Sequence, residues 1–119
     1  MKESILTEKS LEFAVRIVNV YKYLCETKKE FVISKQVLRS GTAIGALINE
    51  GVFGESKRDF IHKYGIAQKE CNETKYWLIL LYKTDFISKK EFESLSNDAI
   101  ELLKMITASI ITAKKIINH

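Results

Sequence analysis

No proline occurs anywhere in these 119 residues. Proline lacks a backbone donor and clashes with the preceding helical turn, so its absence permits long uninterrupted helices. Glycine is also scarce, with five residues, too few for a sheet protein rich in tight turns. Cysteine occurs only at Cys25 and Cys71. Each is isolated on an apolar helical face, with no Cys-x-x-Cys or Cys/His pattern, so buried free thiols and a cytoplasmic protein are expected. The longest unbroken apolar or aromatic run spans Tyr76 to Tyr82, far short of the roughly 20 residues that cross a bilayer. The N-terminus M-K-E-S-I-L-T-E-K lacks the apolar core of a signal peptide, so no membrane partner is expected.

The chain is 46% hydrophobic and 29% charged, which excludes a disordered or fibrous protein. Its length suits one domain, residues 1–119, that buries its own core. A net charge of +4 admits nucleic acid as a partner without requiring it, since lysine-rich solvated helix faces produce the same balance.

Four helical segments can be read. The first runs from Ser4 or Thr7 to Thr27, with Phe13, Ile17, Val20 and Leu24 at 4-3-4 spacing. The second starts after Ser34, a residue type favoured at helix N-caps, and ends between Gly51 and Gly54. The third starts at Ser56 with Asp59 three residues on, a capping-box-like pair. Its seam is Phe60, Tyr64, Ala67, Cys71, Thr74, Leu78 and Leu81. The fourth opens on Ser88 and Glu91 and carries Phe92, Leu95, Ala99, Leu102, Ile106, Ile110, Ala113 and Ile117. Repeats near 3.5 residues joined by short loops specify an all-α fold, an antiparallel up-down-up-down four-helix bundle with left-handed crossings.

Gly41 and Gly45 stand four apart within the apolar repeat of the second segment. Glycine costs about 1 kcal/mol against alanine inside a helix, so the pair points to close approach of another backbone.

Two segments carry more apolar surface than one bundle hides. Tyr76 and Ile79 point well over 100° away from the third seam, taking 100° per residue. Ile100 and Ile111 flank the fourth seam on one side, Met105 and Ile116 on the other. These residues gather in the last halves of the two segments, and a homo-oligomer interface through Tyr76, Ile79, Ile100 and Ile111 is expected.

Catalytic chemistry finds little support. Asp59-x-x-His62 and Glu70-x-x-Glu73 invite a di-iron reading, but that site needs two further Glu-x-x-His motifs, and the other histidine is His119. No metal, cofactor or catalytic residue is expected. Glu50, Glu70 and Glu73 read as partners for basic side chains, with Arg39 the best candidate because guanidinium binds carboxylate bidentately; a solvated glutamate face is equally compatible. Lys9 and Arg16 stand seven apart, opposite Phe13 and Ile17, and Lys57, Arg58, Lys63 and Lys69 decorate the third segment. All six are candidates for phosphate-backbone contact, multiplied in any ring.

The order Q-x-x-R-S, I-G-x-x-I-x-E-G, D-F, I-A-x-K-E and E-T-x-Y-W-L between Gln36 and Leu78 resembles the bacterial four-helix-bundle family often encoded in intervening sequences of 23S rRNA genes. Accessory proteins of diversity-generating retroelements are related to it. The resemblance implies a ring of bundles, typically a pentamer, with no enzymatic activity. For the retroelement relatives it implies a basic surface that binds nucleic acid and a reverse transcriptase. Ala43, Leu47 and Val32 stand where that family usually has serine, asparagine and proline, so a role dependent on the polar pair does not carry over. Three functions follow: a nucleic-acid-associated scaffold, an oligomeric protein-interaction module, and a metal-dependent bundle resting only on Asp59 and His62.

Overall fold

Each apolar repeat forms one helix. In the computed structural model, which describes residues 2–118, these are α1 (Lys2–Glu26), α2 (Ile33–Val52), α3 (Lys57–Lys83) and α4 (Lys89–Ile117). Met1 and His119, the second histidine, lie outside the described residues. At 1.5 Å per residue α3 is about 40 Å long, which sets the 52 × 22 × 21 Å shape.

Ser56 and Ser88 cap α3 and α4, their hydroxyls accepting from the backbone N–H of Asp59 and Glu91. Ser34 does not cap α2. It lies inside the helix and is buried, while the Glu30 carboxylate accepts from the N–H groups of Val32, Ile33 and Ser34 at 3.2, 3.1 and 2.7 Å. One acidic side chain thus neutralises three donors at the positive end of α2. α3 closes with Asp85 in the left-handed region, φ 65°, where a short polar side chain is better tolerated than most. The Phe86 N–H there reaches back to the Leu81 carbonyl at 2.9 Å.

Contacts between helices set the topology. Gly41 and Gly45 of α2 lie against Ile17 and Ser10 of α1. Ser40 and Thr74 hydroxyls meet at 2.9 Å across α2 and α3, Gln68 reaches Thr107 across α3 and α4, and Lys9 and Arg16 reach Glu101 and Asp98 across α1 and α4. Gly51 also faces Tyr64 across α2 and α3, and Cys71 meets Ala99 across α3 and α4. In every helix pair one index rises as the other falls, so neighbouring helices are antiparallel and α4 returns beside α1. This is the up-down-up-down bundle.

The seam residues form its core. Phe13, Ile17, Leu24, Ile44, Ile48, Tyr64, Leu78, Leu81, Leu95, Leu102 and Ile106 are buried. Phe60 and Phe92 are only half-buried; each stacks on a neighbouring tyrosine, Phe60 on Tyr64 at 4.0 Å and Phe92 on Tyr82 at 4.7 Å between ring centres. Cys71 is buried as expected, whereas Cys25 is half-buried.

Burial pushes the Cys71 thiol up to about 11, and its sulfur lies 3.1 Å from the Ala99 carbonyl. The thiolate is the reactive form, so Cys71 of the folded protein is expected to resist a thiol reagent at pH 8. A Cys25→Ser variant checks this: its remaining thiol should react only at the rate of unfolding, and rapid reaction without denaturant would contradict the burial.

Candidate functional site

Basic side chains were expected to face solvent, and half of the candidates have acidic partners instead. The Lys9 ammonium lies 3.1 Å from Glu101. Arg16 reaches Asp98 at 2.6 Å, the Ser94 hydroxyl at 3.0 Å and Glu91 at 3.8 Å. Lys63 lies 3.1 Å from Glu50. The spacing explains the first two. Lys9 and Arg16 stand seven apart on one flank of α1, and Glu91, Asp98 and Glu101 follow at seven- and three-residue steps along the facing flank of the antiparallel α4. Arg16 therefore meets Glu91 and Asp98, while Lys9 meets Glu101. Lys57 lies over the Phe60 ring at 5.3 Å. Arg58 and Lys69 are exposed, and among the described residues no carboxylate comes within ion-pair distance of either.

Arg39 takes the carboxylate partners that its side chain suits. Its guanidinium contacts both oxygens of Glu70, at 3.2 and 3.3 Å, and bonds Glu73 with its other terminal nitrogen. The Trp77 indole N–H donates to Glu73 at 3.0 Å. Trp77, and then Arg39, hold the Glu73 carboxyl below the usual carboxylate range against the opposing effect of partial burial. Glu70, with 19% of its side chain exposed, is paired rather than solvated. Glu50 instead pairs with Lys63. The network therefore ties the middle of α2 to α3 and keeps the Glu73 carboxylate charged, unsuited to proton transfer near neutral pH.

The glycines divide by what surrounds them. A β-carbon at Gly41 would sit 2.8 Å from two γ-carbons of Ile17, and one at Gly45 would sit 3.3 Å from the Ser10 carbonyl oxygen. Gly51 serves the same purpose toward α3, at 2.9 Å from the Tyr64 ring; its place at the end of the apolar repeat made it read as a helix terminus. Gly65 differs, because nothing lies within 4 Å of the β-carbon position there.

Tyr76, Ile79, Ile100 and Ile111 are all exposed. They do not form one cluster. Antiparallel packing sets the last half of α3 against the first half of α4, as the Cys71–Ala99 and Gln68–Thr107 contacts show. Tyr76, Ile79 and Ile100 therefore lie near one another, and Ile111 lies about 16 Å further along α4 at 1.5 Å per residue. A second outward apolar pair, Leu11 and Val15, is 65% and 55% exposed on α1. Its i, i+4 spacing was visible in the sequence, but the stronger Phe13–Ile17 seam masked it.

Asp59 lies at the start of α3, its carboxylate accepting from the Glu55 N–H at 3.3 Å. His62 is exposed. Among the described residues no group of three or more His, Cys, Asp or Glu side chains gathers in a way that could hold a metal ion, and no helix is long and apolar enough to cross a membrane.

Comparison with known proteins agrees with this architecture. A family model described as 23S rRNA-intervening sequence protein matches residues 2–108. The chain is similar to a crystal structure from Bacteroides thetaiotaomicron VPI-5482, a protein of unknown function from the S23 ribosomal protein family. The two are 54% identical over 92% of this chain and 98% of that one, with a TM-score of 0.91. No curated protein matches.

Proposed function

We propose that this chain, which belongs to the 23S rRNA-intervening sequence protein family, works as a non-enzymatic homo-oligomeric scaffold whose basic outer surface associates with RNA or DNA. The observation that carries the assembly is the pair of unpartnered apolar surfaces. Tyr76, Ile79 and Ile100 face outward from α3 and α4, and Leu11 and Val15 face outward from α1. In the cyclic order of the helices these surfaces lie on different sides of the bundle. Two different surfaces per protomer suit a heterologous contact, which closes into a ring when the rotation permits; a pentamer is the closure we favour.

Gly65 supports the same reading. Among the described residues nothing lies within 4 Å of its β-carbon position, so its cost of about 1 kcal/mol against alanine has no local compensation. A second chain lying close against α3 would supply one. Sedimentation at micromolar concentration is expected to give a multiple of the 13.7 kDa chain mass, and Gly65→Leu should reduce that mass while leaving the helical signal intact. A monomer of the parent protein would end the assembly reading.

Nucleic-acid association rests on the positive balance and on basic side chains that find no carboxylate partner among the described residues, Lys57, Arg58 and Lys69 among them. Summed over a ring, such contacts gain avidity and weaken steeply with salt. The second reading is an oligomeric protein-interaction module with no nucleic-acid role. The ion pairs of Lys9, Arg16 and Lys63 favour it, because they remove three cations from the available surface. Titrating labelled RNA and duplex DNA at low salt separates the two: binding by neither supports the second.

A further inference from the structure

We propose that the groove between the first turns of α3 and the last turns of α4 seats a single-stranded segment of nucleic acid, taking one nucleotide into it. This rests on the nucleic-acid reading above and locates its contact. The groove has a volume of about 450 Å³ and is lined by Arg58, Ile61, His62, Lys114, Ile117 and Asn118. That volume lies within the roughly 300–1,000 Å³ of small-ligand pockets, enough for one nucleotide.

The lining has the two parts a nucleotide needs. Arg58, His62 and Lys114 supply nitrogen donors, and a guanidinium can take two phosphate oxygens at once. Among the described residues no carboxylate lines the groove, in contrast to the cleft around Lys9 and Arg16, which Glu12, Asp98 and Glu101 also line. Arg58 stands in the first turn of α3, so the positive end of that helix adds to the attraction. Ile61 and Ile117 offer aliphatic surface to a sugar or base.

This combination selects the strand state. A duplex keeps its base faces stacked inside and presents phosphates on a ridge, so it can reach the donors but not the aliphatic surface. A single strand can turn one nucleotide inward and use both. The His62 imidazole is the one small ring in the described lining, with no Phe, Tyr or Trp, and stacking on aromatic side chains is what usually gives single-strand binders their strength. Binding is therefore weak, tolerant of base identity and dependent on salt.

The test uses the full chain and fluorescent 12-nucleotide single strands and 12-base-pair duplexes of the same sequence, followed by anisotropy at low and physiological salt. Arg58→Glu/Lys114→Glu is compared with Lys22→Glu/Lys90→Glu, which makes the same charge change at exposed positions at the other end of the bundle. The single strand is expected to bind several-fold more tightly than the duplex. The groove variant should lose about tenfold in single-strand affinity and show a shallower salt dependence, with the control variant within about twofold of the parent. Equal loss in the two variants, equal affinity for duplex, or equal displacement by an acidic peptide would overturn the groove assignment while nucleic-acid association stands. Absence of any binding by the parent at low salt would overturn both.

Discussion

A protein with leucine in place of Gly41 is expected to lose about 3 kcal/mol of stability, the upper end of what overpacking usually costs. For a chain of this size that lowers the melting temperature by roughly 10 °C. The geometry leaves no slack. Carbon atoms pack best at about 3.5–4.0 Å, and even an alanine β-carbon would stand 2.8 Å from both γ-carbons of Ile17. Ile17 is fully buried, and a β-branched side chain has few alternative rotamers to retreat into. Helix propensity pulls the other way by about 1 kcal/mol, so the sign of the result separates packing from propensity. Gly45→Leu should also destabilise, because the atom it meets at 3.3 Å is the Ser10 backbone oxygen, which α1 holds in place. Thermal and urea denaturation of the variants beside the parent measure both effects. Unchanged or higher melting of the Gly41 variant would refute the close approach of α1 and α2.

Replacing Glu30 by alanine is expected to cost about 1–2 kcal/mol at neutral pH, the range for loss of a helix cap. The carboxylate serves three backbone donors, and the described capping contacts give α2 no side-chain bond from its N-cap residue Val32. Partial burial pushes the Glu30 carboxyl up, and the bonds from Ser34, Ile33 and Val32 outweigh it, holding the group below the usual carboxylate range. A carboxyl that is more acidic in the folded state stabilises the protein above its unfolded value, about 4.3. That contribution is lost as the pH falls through the lower folded value. The deficit of Glu30→Ala should therefore be full at pH 7 and shrink progressively in acid below the unfolded value. Denaturation midpoints across that range test it: a deficit that stays constant into strong acid would mean that the charge of Glu30 is irrelevant to the cap. Glu73 is shifted in the same direction, so the parent should lose stability in acid from both sites.

Much of this architecture was legible because its causes are local. The 3-4 spacing of Tyr64, Ala67, Cys71, Thr74, Leu78 and Leu81 states which side of α3 is buried, and each of these residues is buried. Ser56 and Ser88 act as caps because the acceptor and the donor they serve are three residues apart. Ser34 misled for the same reason. It has the right chemistry for a cap, but Glu30 reaches the same donors from the connection, and no local pattern says which acceptor arrives first. Gly41 and Gly45 were readable as a packing device from their spacing alone, although the partner they admit belongs to another helix.

The candidate site was less legible because its chemistry depends on distant partners. Arg39 could be matched to glutamates by type, but Glu70 and Glu73 are 31 and 34 residues away along the chain, and Trp77 joins them only through the fold. Lys9 and Arg16 looked like a solvated basic face until the antiparallel α4 brought Glu101 and Asp98 alongside, 92 and 82 residues on. The last halves of α3 and α4 both carry outward apolar residues, and only the reversal of chain direction separates Ile111 from Tyr76. Periodicity, composition and the absence of proline determined by themselves that this protein is four helices in one bundle, because each helix needs only its own apolar stripe to define its buried face. Which charges remain available, which apolar residues share a surface and which glycines touch a neighbour were decided by tertiary structure, because each depends on the register of two helices far apart in the sequence.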